Sequence, residues 1–234
     1  MPGCLYYHLI RTLKFDESLY KWLYSHKNSQ VIILGAGFDS RSMRFAQTLN
    51  EMNTVLFEVD LSAMLDFKLK IITKYNLKTN NAYYQVPCNF NDRQLINCFK
   101  EYDISPQKPT LILWEGVTYF LPESVIKMVL KELRHYFSSE LQITLDYAYR
   151  DYVEGNLNYY GARELYDVLV EINEPHFFGL NFNESENFFE QLGFNTKENL
   201  SAMMLESKFL RDNFGHSVGL PHVFNAMADI VSDK

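Results

Sequence analysis

The sequence lacks long apolar segments, and this absence excludes one large class of proteins. No uninterrupted apolar run approaches the ~20 residues that a membrane-spanning helix needs. His8 and Arg11 interrupt the first eleven residues, which therefore do not form the apolar centre of a secretory signal. We expect a soluble protein without a membrane partner.

Positive charge and cysteine are also scarce. The 234-residue chain has a formal net charge of −7, which does not suit a protein that must neutralise the phosphates of a nucleic acid. Its three cysteines, Cys4, Cys88 and Cys98, have neither the spacing of a metal site nor the even number of a disulfide framework. We therefore expect no nucleic-acid partner, no bound metal and a location in the reducing cytoplasm.

The residues between Gln30 and Asp60 predict the first half of a nucleotide-binding α/β unit. Residues 30–34 form a short apolar, β-branched run, typical of a strand buried on both faces. A glycine turn at 35–41, a helical segment and a second strand at 55–60 follow. Glycines let the backbone turn sharply and approach a ligand closely, and an acid at the next strand tip can accept both ribose hydroxyls.

Two classes of cofactor compete for this unit. A dinucleotide fingerprint requires a third glycine, where this chain has Ser40, and it holds a pyrophosphate that Asp39 would repel. S-adenosylmethionine has no phosphate, and its ammonium and sulfonium groups tolerate an acid in the turn. The turn therefore favours S-adenosylmethionine over a dinucleotide, and a methyltransferase over a dehydrogenase.

Strands and helices alternate strictly as far as Tyr147, which predicts a doubly wound sheet. Ligands of such sheets bind at the carboxyl ends of the strands. The alternation stops after Tyr149, which predicts a small helical cap over about residues 149–182, and the absence of repeats or linkers predicts a single domain over 1–234. The predicted strands are 30–34, 55–60, 83–87, 110–114, 141–147 and 222–230, and the predicted first and last helices are 13–26 and 205–214.

Five short segments carry the most specific signal in the chain. They are LIRTLKFD at 9–16, VIILGAGFDSR at 31–41, FEVD at 57–60, CNFND at 88–92 and EGVTYFLP at 115–122. In this order they resemble the leucine carboxyl methyltransferase family. The resemblance implies an S-adenosylmethionine-dependent O-methyltransferase with a Rossmann-like α/β fold, whose sheet is mostly parallel with an antiparallel final strand.

The resemblance also implies the residues that hold the cofactor. Arg11 matches an arginine that binds the carboxylate of the cofactor, and Asp60 matches the acid that binds the ribose. Asn89 stands where the family has an aspartate that contacts the adenine amino group, and an amide oxygen can still accept that hydrogen bond. The predicted cofactor-binding residues are Arg11, Gly35, Ala36, Gly37, Asp39, Glu58, Asp60, Asn89, Phe90 and Glu115.

The methyl acceptor is less closely defined. A carboxylate acceptor is already ionised, whereas a hydroxyl needs a base within hydrogen-bond reach. The pocket candidates are Tyr119, Tyr7 and His176, with His8 and His222 as further candidate bases. We expect an O-methyltransferase that acts on a carboxylate or hydroxyl of a small molecule or peptide terminus. The alternative is a catalytically degenerate S-adenosylmethionine-binding protein that serves as a partner subunit.

The chain has only ten residues ahead of Arg11. Family members that methylate the C-terminal leucine of a protein phosphatase have longer N-terminal and cap regions. We therefore expect a minimal lid over the acceptor pocket, and we do not extend the phosphatase substrate to this chain.

Overall fold

Within residues 1–89 and 95–232, which are those that the computed structural model describes, eight strands form one sheet. The strands are β1 (Gln30–Leu34), β2 (Val55–Asp60), β3 (Tyr83–Pro87), β4 (Thr110–Trp114), β5 (Leu141–Tyr149), β6 (Gly179–Leu180), β7 (Phe194–Ser201) and β8 (Asn225–Ser232). Their order is β3-β2-β1-β4-β5-β8-β7, with β6 paired only to β5. The connection reverses direction between β1 and β4, so the carboxyl ends of these two strands border a crevice.

The helices of the described residues lie before, between and after these strands. They are α1 (Cys4–Ser25), α2 (Arg41–Arg44), α3 (Ala46–Glu51), α4 (Ser62–Lys74), α5 (Leu95–Glu101), α6 (Glu123–Tyr136), α7 (Arg150–Val153), α8 (Ala162–Glu171), α9 (Ser185–Glu190) and α10 (Ala202–Phe209). None of them combines the length and the apolar character that crossing a bilayer requires.

The predicted fold class is confirmed. Strands β1 to β5 pair in parallel, whereas β8 is antiparallel to β5 and β7 is antiparallel to β8. Both faces of the parallel strands are covered. Ile32 and Ile112 share one buried cluster with Ile126 of α6, and on the other face Ile33 shares a cluster with Leu19 of α1. The parallel strands are apolar at nearly every position because the side chains on both of their faces are buried in a core.

The C-terminal part of the chain differs from the prediction. Strand β7 was not predicted, because its edge position leaves most of its residues half-buried and a register shift between Thr196 and Glu198 breaks the apolar alternation. Helix α10 ends at Phe209 rather than Phe214, and β8 begins at Asn225 rather than His222. At the other end of the chain, α1 begins at Cys4, nine residues before the predicted start.

The cap consists of α7, α8 and the chain that returns to the sheet at β6. Its inner side packs Tyr152 and Ala162 against Tyr119, Ala148 and Phe224 in a small cluster separate from the two main cores. These elements form a short helical layer over the carboxyl ends of β4 and β5. This layer closes one side of the site described below.

A disulfide joins Cys88, which follows β3, to Cys98 of α5, with 6.2 Å between their Cα atoms. The odd number of cysteines had predicted none. A count does not reveal that the end of β3 and the first turns of α5 lie side by side. The cytoplasmic location rested partly on that count and remains a prediction.

Glu58 of β2 lies in a buried ion pair rather than in the crevice. Its Oε2 atom is 2.6 Å from Nζ of Lys68 on α4 and accepts a hydrogen bond of 2.7 Å from the Tyr83 hydroxyl. Burial raises the pKa of Glu58, and the Lys68 ammonium acts in the opposite direction. The carboxylate thus fastens α4 to the sheet, which explains an acidic residue in an otherwise apolar strand.

We expect Glu58→Ala to destabilise the fold by about 3–5 kcal/mol, because it leaves the Lys68 ammonium buried without its partner. Urea unfolding followed by circular dichroism measures this loss. The matched control is Glu164→Ala on the exposed face of α8, for which we expect a change within about 0.5 kcal/mol. Similar, small changes in both variants would contradict the structural role of Glu58.

Candidate functional site

A cavity of about 340 Å³ opens at the carboxyl end of β1. Its walls are Arg11 of α1, the turn residues 35–41 and residues 115–117, which follow β4. We call it the glycine-turn cavity. It occupies the crevice where the strand order reverses, the place where open α/β sheets bind their ligands.

The turn depends on two glycines in the left-handed region. Gly35 has φ +67° and Gly37 has φ +42°, and a Cβ atom on Gly35 would lie 2.4 Å from Cγ2 of Val117. Asp60 holds the turn from below, because its Oδ2 atom accepts a hydrogen bond of 2.6 Å from the Gly37 amide. A carboxylate oxygen has a further acceptor position. Asp60 can therefore hold the turn and still receive a ligand hydroxyl.

Asn89 lies at the same edge of the sheet. The Cys88 amide donates to the carbonyl of Asp60 at 2.8 Å, so Asn89 follows directly beyond the end of β3 and is half-buried. The structure thus brings Asp60 and Asn89 to adjacent strand ends, as their positions in the sequence predict. Phe90, the next predicted contact, lies outside the described residues.

Arg11 joins α1 to the ends of β4 and β5. Its Nε donates to Oε1 of Glu115 at 3.0 Å, and its Nη1 donates to the Tyr119 hydroxyl at 2.7 Å and to Oδ2 of Asp146 at 3.4 Å. The guanidinium also lies against Gly116, where a Cβ atom would come within 3.0 Å of Nη1. No hydrogen bond or ion pair with another described residue engages Nη2, so one edge of the fork remains available to a ligand.

Asp146 and Tyr7 complete this group. Asp146 of β5 is fully buried just beyond the residue that pairs with the end of β4, and it accepts hydrogen bonds from the Gly116 amide at 2.8 Å and from the Tyr7 hydroxyl at 3.3 Å. Burial raises the pKa of Asp146, whereas Arg11 and the Gly116 amide lower it. Burial alone would lower the pKa of Arg11, but Tyr119 and Asp146 raise it above its ordinary value. The guanidinium is therefore a permanent charge held by acids.

A second arginine, Arg41, neutralises the acid of the turn. It is almost fully buried, and its guanidinium contacts the Asp39 carboxylate, Oε2 of Glu115 at 2.7 Å and Oδ1 of Asp16 at 2.8 Å. The Arg41 backbone amide also donates to Asp39, at 2.7 Å. Asp39 is thus engaged by the protein itself. It shapes the cavity through Arg41 rather than offering a free charge.

A second cavity, of about 290 Å³, shares Arg11 and Gly116 with the first. Its walls come from the start of α1, from Tyr119, from α8 of the cap and from the segment before β8. The structure brings the three pocket candidates, Tyr7, Tyr119 and His176, together in this wall. We call it the cap cavity. The two cavities thus meet at Arg11 and Gly116.

Two histidines of the cap cavity are held neutral. Burial lowers the pKa of His176 to about 4. Burial, together with repulsion from His8 and Arg11, lowers the pKa of His222 to about 3. His176 packs on the ring of Tyr119, with 4.5 Å between the ring centroids. Both imidazoles are therefore uncharged hydrogen-bonding groups at neutral pH.

Three residues of the site were not predicted in their roles. Arg41 and Asp16 belong to the FDSR and LIRTLKFD segments, but their ion pair joins residues 25 positions apart. Asp146 lies in the predicted strand 141–147, which assigns its carboxylate no role. In the sequence, each of the three is a charged residue without an evident partner inside a motif or a buried strand. Its partner can be identified only in the folded structure.

Comparison with known proteins places these residues in a family. The sequence profile described as leucine carboxyl methyltransferase matches residues 1–134, more than half of the chain. A Streptomyces avermitilis protein, provisionally named an S-adenosyl-L-methionine-dependent methyltransferase, is 30% identical over 125 residues, which are 53% of this chain and 42% of that protein. A similarly named Streptomyces coelicolor protein is 27% identical over 146 residues, 62% of this chain and 50% of that protein. The chain spans about half the length of these relatives, or less.

Solved structures support the fold. Magnesium protoporphyrin IX methyltransferase from Synechocystis PCC 6803 with bound S-adenosylhomocysteine matches with a TM-score of 0.57 at 11% identity, covering 96% of this chain and 84% of that one. The same enzyme with bound S-adenosylmethionine gives a TM-score of 0.56 at 10% identity, covering 96% and 81%. At this identity the likeness concerns the fold alone.

The neutral state of His176 predicts a pH dependence of stability. The unfolded chain binds a proton at this histidine near pH 6.5, and the folded chain does so only near pH 4. The unfolded state binds more protons between these values, so stability falls as the pH decreases through this window. Between pH 6.5 and 4 the free energy of unfolding of the wild type should fall more than that of His176→Leu, by up to about 3 kcal/mol. Urea unfolding at a series of pH values measures this difference. Parallel profiles would contradict a neutral His176.

Proposed function

Because the chain belongs to the leucine carboxyl methyltransferase family, we propose that it transfers a methyl group from S-adenosylmethionine to an oxygen atom of a small molecule or a peptide terminus. The observation that carries the proposal is the meeting of two cavities at Arg11 and Gly116. The glycine-turn cavity would hold the cofactor, and the cap cavity would hold the acceptor. Methyl transfer requires that kind of adjacency, because the nucleophile must lie in line with the methyl group and sulfur.

The residues of the glycine-turn cavity and of the neighbouring strand ends fit S-adenosylmethionine. Asp60 would accept hydrogen bonds from the ribose hydroxyls, and Asn89 would bind the adenine amino group through its amide oxygen. The unengaged Nη2 edge of Arg11 would bind the cofactor carboxylate. With Asp39 and Glu115 both paired to Arg41, the cavity remains polar without an uncompensated acid. When bound, the cofactor supplies a methyl group on a positively charged sulfur.

The protein contributes alignment and exclusion of water rather than covalent chemistry. Tyr119 stands at the junction with its hydroxyl bound to Arg11, and the α8 side chains Leu165 and Leu169 form an apolar cover. Displacement at a sulfonium neutralises charge, so a dry, closed acceptor site favours it. The cap is therefore the element that keeps water from competing with the acceptor.

A carboxylate is the acceptor we favour, because it is already ionised and needs no base. A hydroxyl acceptor is the second candidate, since His176 and His222 line the cap cavity and are neutral at pH 7. Their lowered pKa values make them weak bases, which disfavours this candidate. The comparisons give no support to the alternative of a catalytically degenerate partner subunit.

The nature of the product distinguishes the two acceptors. We expect labelled S-adenosylmethionine, incubated with a panel of small carboxylic acids and alcohols, to give a labelled methyl ester that mild base cleaves. The pH profile between 6 and 9 does not discriminate, because histidines with pKa values of about 4 and 3 remain neutral throughout this range. A base-stable methyl ether would favour the hydroxyl candidate, and absence of any transfer would contradict the proposed activity.

The ribose contact of Asp60 is tested by a cycle of variant and analogue. Asp60→Ala should weaken S-adenosylhomocysteine binding by about 1–3 kcal/mol for each hydroxyl left unpaired. Because Asp60 also holds Gly37 and Leu61, the second arm uses an analogue without the ribose hydroxyls. In calorimetry, the wild type should bind the analogue more weakly than it binds S-adenosylhomocysteine. The Asp60→Ala variant should bind the two ligands with equal affinity. If removal of the ribose hydroxyls lowers the affinity of both proteins equally, Asp60 does not bind the ribose.

A further inference from the structure

The cap cavity contains buried polar groups that the proposed methyl transfer does not use. His222 is 3% exposed and Asn225 is 1% exposed, and both line the cavity. The Nδ1 atom of His222 and the Oδ1 atom of Asn225 have no hydrogen-bond partner among the described residues. A buried polar group left unpaired costs about 1–3 kcal/mol. Two such groups, three positions apart in the chain and in one cavity wall, indicate a ligand that supplies the missing bonds.

The surroundings hold both groups in fixed positions. The imidazole of His222 lies between two rings, 4.0 Å from the centroid of Tyr7 and 4.3 Å from that of Phe224, nearly parallel to the latter. Asn225 is the first residue of β8 and pairs with Ala148 of β5. A half-turn of its terminal torsion exchanges the amide oxygen and nitrogen, so Asn225 can present an acceptor or a donor to the cavity. His222 and Asn225 can therefore both offer hydrogen bonds to one ligand in this cavity.

The cavity does not suit a second charged group. Among the side chains that line it, Arg11 alone has a permanent charge, and Glu115 and Asp146 already balance that charge. Apolar residues of α8, including Leu165 and Leu169, cover the opposite side. A charged group placed against these apolar residues would lose its hydration without gaining a partner. The volume of about 290 Å³ is at the lower limit of ligand pockets, which restricts the occupant to a small molecule.

Building on the proposed function, we infer that the acceptor is a small hydroxy acid. Its carboxylate would meet the cofactor at the junction of Arg11 and Gly116, and its hydroxyl would enter the cap cavity and bind His222 and Asn225. A hydroxyl fits both groups because it donates one hydrogen bond and accepts others. A hydrocarbon acid would leave both groups unpaired, and an ammonium or a second carboxylate would have to give up its hydration.

The test compares acids that differ only in the hydroxyl. Benzoate, 3-hydroxybenzoate and 4-hydroxybenzoate are suitable probes, because the aromatic walls Tyr7, Tyr119 and Phe120 accommodate a ring. Calorimetric titration into the full chain saturated with S-adenosylhomocysteine should show at least one hydroxybenzoate binding tenfold tighter than benzoate. Asn225→Leu should reduce this ratio to below threefold. Asn187→Leu on the exposed face of α9 should leave it unchanged.

A second variant covers the case in which Asn225→Leu does not fold. His222→Phe preserves the stack between Tyr7 and Phe224 and removes only the polar edge, and it too should reduce the ratio. Equal binding of the three acids, or no binding of any, would overturn the inference. Methyl transfer is measured separately with the same acids. Equal ester formation from all three acids would support the proposed activity and contradict the hydroxyl site. Selective binding of a hydroxybenzoate without methyl transfer would support the hydroxyl site and contradict the proposed activity.

Discussion

The position of the Arg11 guanidinium is the constraint on which the rest of the site depends. One helix supplies it, and three groups at the ends of β4 and β5 receive it: the carboxylates of Glu115 and Asp146 and the hydroxyl of Tyr119. Asp146 is completely buried, so without the arginine its charge would lie in the core uncompensated, which costs several kcal/mol. The ionic group therefore fixes α1 against the sheet. Arg11 also lines both cavities, so the same contacts set both the fold and the geometry of the proposed transfer.

The charges around the glycine-turn cavity are arranged in alternation. Arg41 lies between Asp39, Asp16 and Glu115, and Glu115 in turn lies between Arg41 and Arg11. Asp16, Asp39 and Glu115 are thus each held by Arg41, and Arg11 and Arg41 each contact more than one acid. Such a network orients side chains in advance of ligand binding, and the ligand meets a polar but balanced surface. The cap cavity is built differently, with neutral imidazoles and aliphatic side chains, which suits an uncharged part of a small acceptor.

Local sequence signals predicted one half of this architecture well. The parallel strands were predicted because runs such as Val31 to Leu34 are apolar at every position, and the place of Asp60 at a strand end was predicted because an acid ends such a run. Strand β7 was missed because an edge strand buries too little to alternate. Asp39 was expected to face the ligand but is paired with Arg41, and Glu58 was assigned to the cofactor but binds Lys68. These errors have one cause: the sequence shows where a charge occurs, but its partner comes from another element of the fold.

The most direct test of the central claim is the response of Arg11→Lys to the cofactor carboxylate. Lysine keeps the positive charge but loses the planar fork, so binding of S-adenosylmethionine should weaken clearly in the variant. Decarboxylated S-adenosylmethionine lacks the group that Nη2 would bind, and wild type and variant should bind it equally well in calorimetric titration. If the deficit of the variant is the same for both ligands, Arg11 acts only by packing α1 against the sheet, and the assignment of the cofactor carboxylate to it is wrong.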